Sequence, residues 1–162
     1  MRRTVELLPD AGPLITLAYA DALDLLLKPG WKISIADMVL HELTRHETPT
    51  RNKLTAWIAR HGILVRSTRI FANFLAMTAN QTQRKANLGE FATQEIMNDM
   101  ALESPQSTGV FLFEDHRIAR TSFLLPDNCQ KISTRAFLIF LEERGWIASA
   151  TDIERQAIVA GR

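Results

Sequence analysis

A single cysteine, Cys129, is all the thiol chemistry this sequence has, so no disulfide can form within the chain. A lone thiol suits a reducing compartment, where it usually serves as packing, and a cytoplasmic protein is the expectation. Excess charge of either sign is also missing: 19 Lys and Arg stand against 18 Asp and Glu, a formal net charge of +1. That balance excludes a strong global field toward polyanions, so any nucleic-acid contact has to come from a local basic patch. Long apolar runs are absent as well. Each is broken by a charge or a proline well before the roughly 20 residues that cross a bilayer, which argues against a membrane span. Met1-Arg2-Arg3 opens like a signal peptide, but Glu6 and Asp10 interrupt the apolar stretch that would have to follow, and no export signal is expected. No strand leads into a glycine-rich phosphate loop, which disfavours a phosphate-binding α/β enzyme or signalling domain. Cys/His spacing of the structural-zinc kind is lacking, and His41 and His46 have no matching pair.

What is present is the mixture of a globular protein. The 162 residues are 46% hydrophobic and 23% charged, enough for one ordinary domain spanning 1–162 with no repeat, low-complexity tract or linker. Val5-Glu6-Leu7-Leu8 reads as a short buried strand, and Pro13 opens a helix that carries Leu14, Leu17, Ala18 and Leu25 until Lys28-Pro29-Gly30 ends it. Residues 32–36 form the next strand. Asp37 is placed as the N-cap of a helix through about His46, and a helix begun at Thr48-Pro49 runs to Gly62. Strands are predicted at 63–65, 109–113 and 129–132, the fourth being the strongest. Helices are predicted over 69–82, from Glu90 to about Leu102, in a short basic stretch after Asp115, around Phe137, Phe140 and Leu141, and from Thr151. Apolar strands alternating with helices imply a parallel sheet covered on both faces, with its reactive crevice beyond the carboxyl ends of the strands.

That rule gives meaning to the acids that end two strands. Asp10 follows the first and Asp115 the fourth; if those strands are neighbours, the two carboxylates converge. Glu42, on the helix after the second strand, and Glu90, at a helix start, reach the same edge. Like charges a few Å apart repel strongly, so such a cluster implies a cation that the pocket exists to hold. All-oxygen ligation favours Mg²⁺ or Mn²⁺ over zinc. A carboxylate-held metal activates water and stabilises a leaving oxygen, which makes phosphodiester hydrolysis the natural expectation.

The order of "LLPDAGPLITLA", "ISIADMVLHELTR", "NLGEFATQEI", "VFLFEDHRIAR" and "FLIFLEERGWI" resembles the PIN-domain family, in particular VapC-type toxins of bacterial toxin-antitoxin pairs. The resemblance spans nearly the whole chain. It implies a Rossmann-like three-layer sandwich with a mostly parallel central sheet, and a metal-dependent endoribonuclease acting on RNA. It also implies a cognate antitoxin as partner, and a homodimer, common in the family. Carried over residue by residue, Asp10, Glu42, Glu90 and Asp115 are the acids that hold Mg²⁺ or Mn²⁺ and carry catalysis. Two positions differ from the family pattern. Gly12 stands where a serine or threonine often follows the first acid, and Glu114-Asp115 replaces an Asp-Asp pair.

Plainer roles compete for each residue. Asp10 can satisfy turn amides, Glu42 can pair with Arg45 or His46 on its own helix, and Glu90 suits the positive end of a helix regardless of function. Either Glu114 or Asp115 can face the site, the family register choosing Asp115. Glu95 and Asp99 are expected on a solvated face. Arg84, Lys85, Arg117 and Arg120 flank the acids and could grip phosphates, or simply be solvated surface. Trp31, Trp57 and Trp146 are scattered rather than arrayed for base stacking. Phe71, Phe74, Leu75 and Phe91 are core residues or a face for a partner helix or second subunit. A catalytically silent PIN-like module that binds RNA or protein is the alternative function.

Overall fold

The structure is a computed structural model and describes residues 3–78, 87–114 and 125–162. Five parallel strands form the sheet: β1 (Val5–Pro9), β2 (Lys32–Ala36), β3 (Leu64–Arg66), β4 (Thr108–Phe113) and β5 (Cys129–Ser133), in the spatial order β3-β2-β1-β4-β5. Seven helices accompany them among the described residues: α1 (Ala11–Tyr19), α2 (Asp37–Thr44), α3 (Arg51–His61), α4 (Arg69–Thr78), α5 (Leu88–Glu103), α6 (Thr134–Glu143) and α7 (Ala150–Ala160). The molecule is an α/β three-layer sandwich. One layer holds α5 with α2 and α4 packed on it; the other holds α1, α6 and α7. Leu7, Leu8, Phe111 and Leu112 of the central strands are at most 1% exposed, so the strands read as continuous apolar runs because both faces are covered.

Strand order decides where chemistry can sit. The chain leaves β1 for β2 on one side and later returns to lay β4 on the other, so β1 and β4 flank the point where the winding reverses. Crevices in open parallel sheets form there, past the carboxyl ends. The register pairs Pro9 with Leu112, and the Asp10 amide donates to the Leu112 carbonyl at 2.9 Å. The residues that follow β1 and β4 are therefore brought side by side.

The helix after β1 differs from its expected course. It begins at Ala11 and stops at Tyr19, and Leu23–Leu27 forms a separate 3₁₀ turn. The cause is Asp21, which sits in the left-handed region at φ 55°. Its amide donates to the Ala18 carbonyl and that of Ala22 to the Leu17 carbonyl, the paired bonds that close a helix end. Lys53 holds the turn from α3, with its Nζ 3.1 Å from Asp21. Gly62 ends α3 at φ 58°, as its sequence position suggests. The short basic helix after Asp115 and the end of the 69–82 helix lie outside the described residues.

Polar groups lock the rest of the frame. Glu6 on β1, only 6% exposed, accepts a bidentate pair from Arg66 on β3 (Nε 2.8 Å, Nη2 3.0 Å) and a short bond from the Ser34 hydroxyl on β2. Asp37 proves to be the first residue of α2 rather than its N-cap. Its carboxylate accepts from the Met38 amide and from both the amide and hydroxyl of Thr68, joining α2 to the start of α4. Glu95 is not on a solvated face: it accepts from the Arg69 and Ile70 amides and so caps α4 from α5, while Asp99 stays half-exposed 3.8 Å from Arg69. Trp31 stacks on Phe140, Trp57 is buried and donates to Asp24, and Trp146 meets the edge of Phe140, so the tryptophans serve packing. Among the described residues no helix is long and apolar enough to cross a membrane.

Candidate active site at the carboxyl edge of β1 and β4

Asp10, Gly12, Glu90, Glu114 and Arg162 line one small cavity of about 350 Å³ at the strand-reversal point. Asp10 reaches it because β1 ends on Pro9 and its carboxylate, in a residue 9% exposed, comes to lie at the start of α1. Glu90 reaches it from the first turn of α5. Glu114 follows β4 directly.

Glu42 arrives from α2 and stops against the backbone of α5. The Gly89 amide donates to its Oε1 at 3.1 Å. A Cβ on residue 89 would sit 2.8 Å from Glu42 Oε2, so this approach requires glycine. Among the described residues it forms no salt bridge with His46, and Arg45 acts on it only weakly, through its charge. Burial and, second, the negative charge of Asp10 push the Glu42 carboxyl up to about 7, against the opposing pull of the Gly89 amide and, last, of Arg45. The charge of Asp10 thus reaches the Glu42 carboxylate.

Glu114 is the residue the sequence left undecided, and it is firmly held. Its Oε1 accepts from the Thr16 hydroxyl at 2.7 Å and from Arg162 Nη2 at 3.2 Å, and its Oε2 from the Thr134 hydroxyl at 3.1 Å. Arg162 Nε also donates to Thr16 at 2.8 Å. Asp115, chosen at this motif, lies outside the described residues, as do Arg84, Lys85, Arg117 and Arg120. Of the acids expected here, Asp10 and Glu90 share the cavity and Glu42 adjoins Asp10. Sequence reasoning missed Gly89, Thr16 and Arg162. The Gly-Glu step of "NLGEF" is the one signal that could have pointed to the first; Thr16 and Arg162 are too far apart in the chain for any local pattern to join them.

Among the described residues, no three His, Cys, Asp or Glu side chains meet closely enough to form a ready metal cage. The donor chemistry nonetheless suits a hard cation: the acids around the cavity offer oxygen only, and the negative charge of Asp10 disfavours a charged Glu42. His41 is occupied otherwise, its ring packed against Phe71 and Phe74. Phe74 is core, whereas Leu75 and Phe91 are half-exposed. Burial pushes the Cys129 thiol up, which keeps it neutral and suits packing beside Met97. A larger cleft of about 820 Å³ opens at the opposite, amino ends of the strands, beside the Glu6–Arg66 pair, and none of Asp10, Glu42 or Glu90 lines it. No protein-family model matches the chain, and no curated protein matches it significantly.

Proposed function

We propose that this protein is a metal-dependent endoribonuclease of the PIN type that hydrolyses RNA phosphodiester bonds, working in the cytoplasm as the toxin of a toxin-antitoxin pair. One observation supports the chemical part of that reading: beyond the strand-reversal point the charge of Asp10 acts on Glu42, which the Gly89 amide anchors, and burial together with that charge raises Glu42's proton affinity to neutrality. Carboxylates kept together against their own repulsion store a preference for a cation. Asp10, Glu42 and Glu90 would hold Mg²⁺ or Mn²⁺, with Asp115 the fourth ligand. When bound, the ion supplies a water of lowered pKa and neutralises charge on the phosphate. The chain's own part is to hold those oxygens in place. Gly89 fixes Glu42 by its amide, the β1–β4 register fixes Asp10, and α1 and α5 wall the cavity. RNA as substrate, the antitoxin and a homodimer rest on the resemblance of the acidic motifs alone.

The test is incubation of the purified protein with total RNA, with Mn²⁺ or with EDTA, followed by mapping of new ends. Cleavage is expected only with metal and is expected to vanish in Asp10→Asn at unchanged circular dichroism. Cleavage that survives EDTA, or a fully active Asp10→Asn variant, overturns the reading. A second reading, a catalytically silent module, is favoured by Gly12 and by Glu114-Asp115, the two departures from the family pattern. Mn²⁺ separates the two: a true site gains thermal stability on titration, and a silent one does not.

A further inference from the structure

Arg162 lies in the acidic cavity without any part in the reading above. Its guanidinium is anchored twice, through Nε to Thr16 at 2.8 Å and through Nη2 to Glu114 at 3.2 Å. Thr16 in turn donates to the same Glu114 oxygen, and Thr134 donates to the other. Glu114 therefore already has a cation and donors on both oxygens, which leaves it a poor ligand for an ion. The side chains of Arg162 and Glu114 are 36% and 32% exposed, so the guanidinium is fixed yet open to what enters the cavity. Gly12 leaves this corner room. In the first turn of α1 a Cβ on residue 12 would press on Glu114 Cβ at 3.2 Å and meet Arg162 Nη2 at an ordinary 3.9 Å.

We propose that Arg162 is a substrate-binding residue that grips the non-bridging oxygens of the phosphodiester, filling the Glu114 corner with a built-in cation so that the cavity takes a single divalent ion. The inference rests on the nuclease reading and adds to it a phosphate contact and an ion count. An arginine donates several N–H groups in a plane and remains charged at every working pH, which suits a phosphate better than a solvated lysine would. Two of its donors are spent on Thr16 and Glu114, and that spending is what orients the remainder.

Isothermal titration of the full chain with Mn²⁺ is expected to give one ion per chain. Binding of a mixed-sequence oligoribonucleotide, measured in EDTA so that metal-dependent cleavage does not run, is expected to weaken about tenfold in Arg162→Gln, as for one lost charge-assisted contact. Its dependence on salt should flatten by roughly 0.7 in the log–log slope, the share of one phosphate contact on a single strand. Arg162→Lys should keep the slope, because charge is retained, while losing part of the affinity. A purely structural role for Arg162 would leave the salt slope where it is, and that outcome overturns the proposal. So does a wild-type stoichiometry of two ions, which leaves the nuclease reading standing. Absence of any Mn²⁺ binding to the wild type sinks the nuclease reading itself. If Arg162→Gln fails to fold, the wild-type ion count still decides.

Discussion

Gly89 concentrates the logic of the site in one missing side chain. It stands in the first turn of α5, where glycine is a poor helix residue by about 1 kcal/mol relative to alanine. What it provides is closeness, since Glu42 uses both the bare amide and the space a methyl would fill. The atom a new Cβ would strike is the tip of a flexible side chain, so the protein can yield without breaking. Gly89→Ala is therefore expected to change the unfolding free energy by less than about 1 kcal/mol, the helix gain offsetting the lost bond. Its effect on cleavage is expected to be at least about tenfold, because Glu42 is driven off its amide. Urea denaturation alongside a cleavage assay checks this. A variant that loses stability and activity together would make Gly89 a packing residue. From the sequence alone Glu42 and Glu90 were legible as acids of the right edge, but not the glycine between them in space. Its role depends on a contact between α2 and α5 that no local periodicity encodes.

At the scale of elements, strands were more legible than helix ends. β2 and β4 are apolar runs bounded by turn residues, and burial on both faces leaves little freedom for another reading. The end of α1 was hidden because its break comes from an aspartate in a left-handed conformation rather than from glycine or proline. The sheet's other concealed feature is the Glu6–Arg66–Ser34 group, which ties three neighbouring strands across one face. In sequence, Glu6 merely interrupts an apolar stretch. In the fold it is a nearly buried charge, and the cation that pairs with it comes from β3, a strand of only three residues. Removing one partner of such a pair leaves the other charge stranded. Arg66→Leu is expected to cost about 3 kcal/mol in urea denaturation, and the double variant Glu6→Leu with Arg66→Leu to recover most of that. Equal losses in the single and double variants would mean that the arginine acts by packing, not by pairing.

For the whole molecule, the acidic edge sets stability against function. A buried carboxyl whose proton affinity is raised stabilises the folded state below its unfolded value and withdraws that stability as the pH rises through the folded one. For Glu42 the window runs from 4.5, the ordinary value, to about 7. Without metal, the protein is thus expected to lose on the order of 1–2 kcal/mol across that interval, part of the full shift being screened by solvent at this half-buried position. Burial is the larger cause and the charge of Asp10 the second. Asp10→Asn should accordingly narrow the window rather than close it, and at pH 7 the metal-free variant should be more stable than its parent. Saturating Mn²⁺ should reverse the order, raising the melting temperature of the wild type and leaving that of Asp10→Asn nearly where it was. The measurement is a set of thermal melts from pH 4.5 to 7.5, with EDTA or Mn²⁺, on both proteins. Wild type and variant that melt alike at every pH, with metal and without, would mean that the two carboxylates do not feel one another. The edge of the sheet would then have no stored preference for a cation to satisfy.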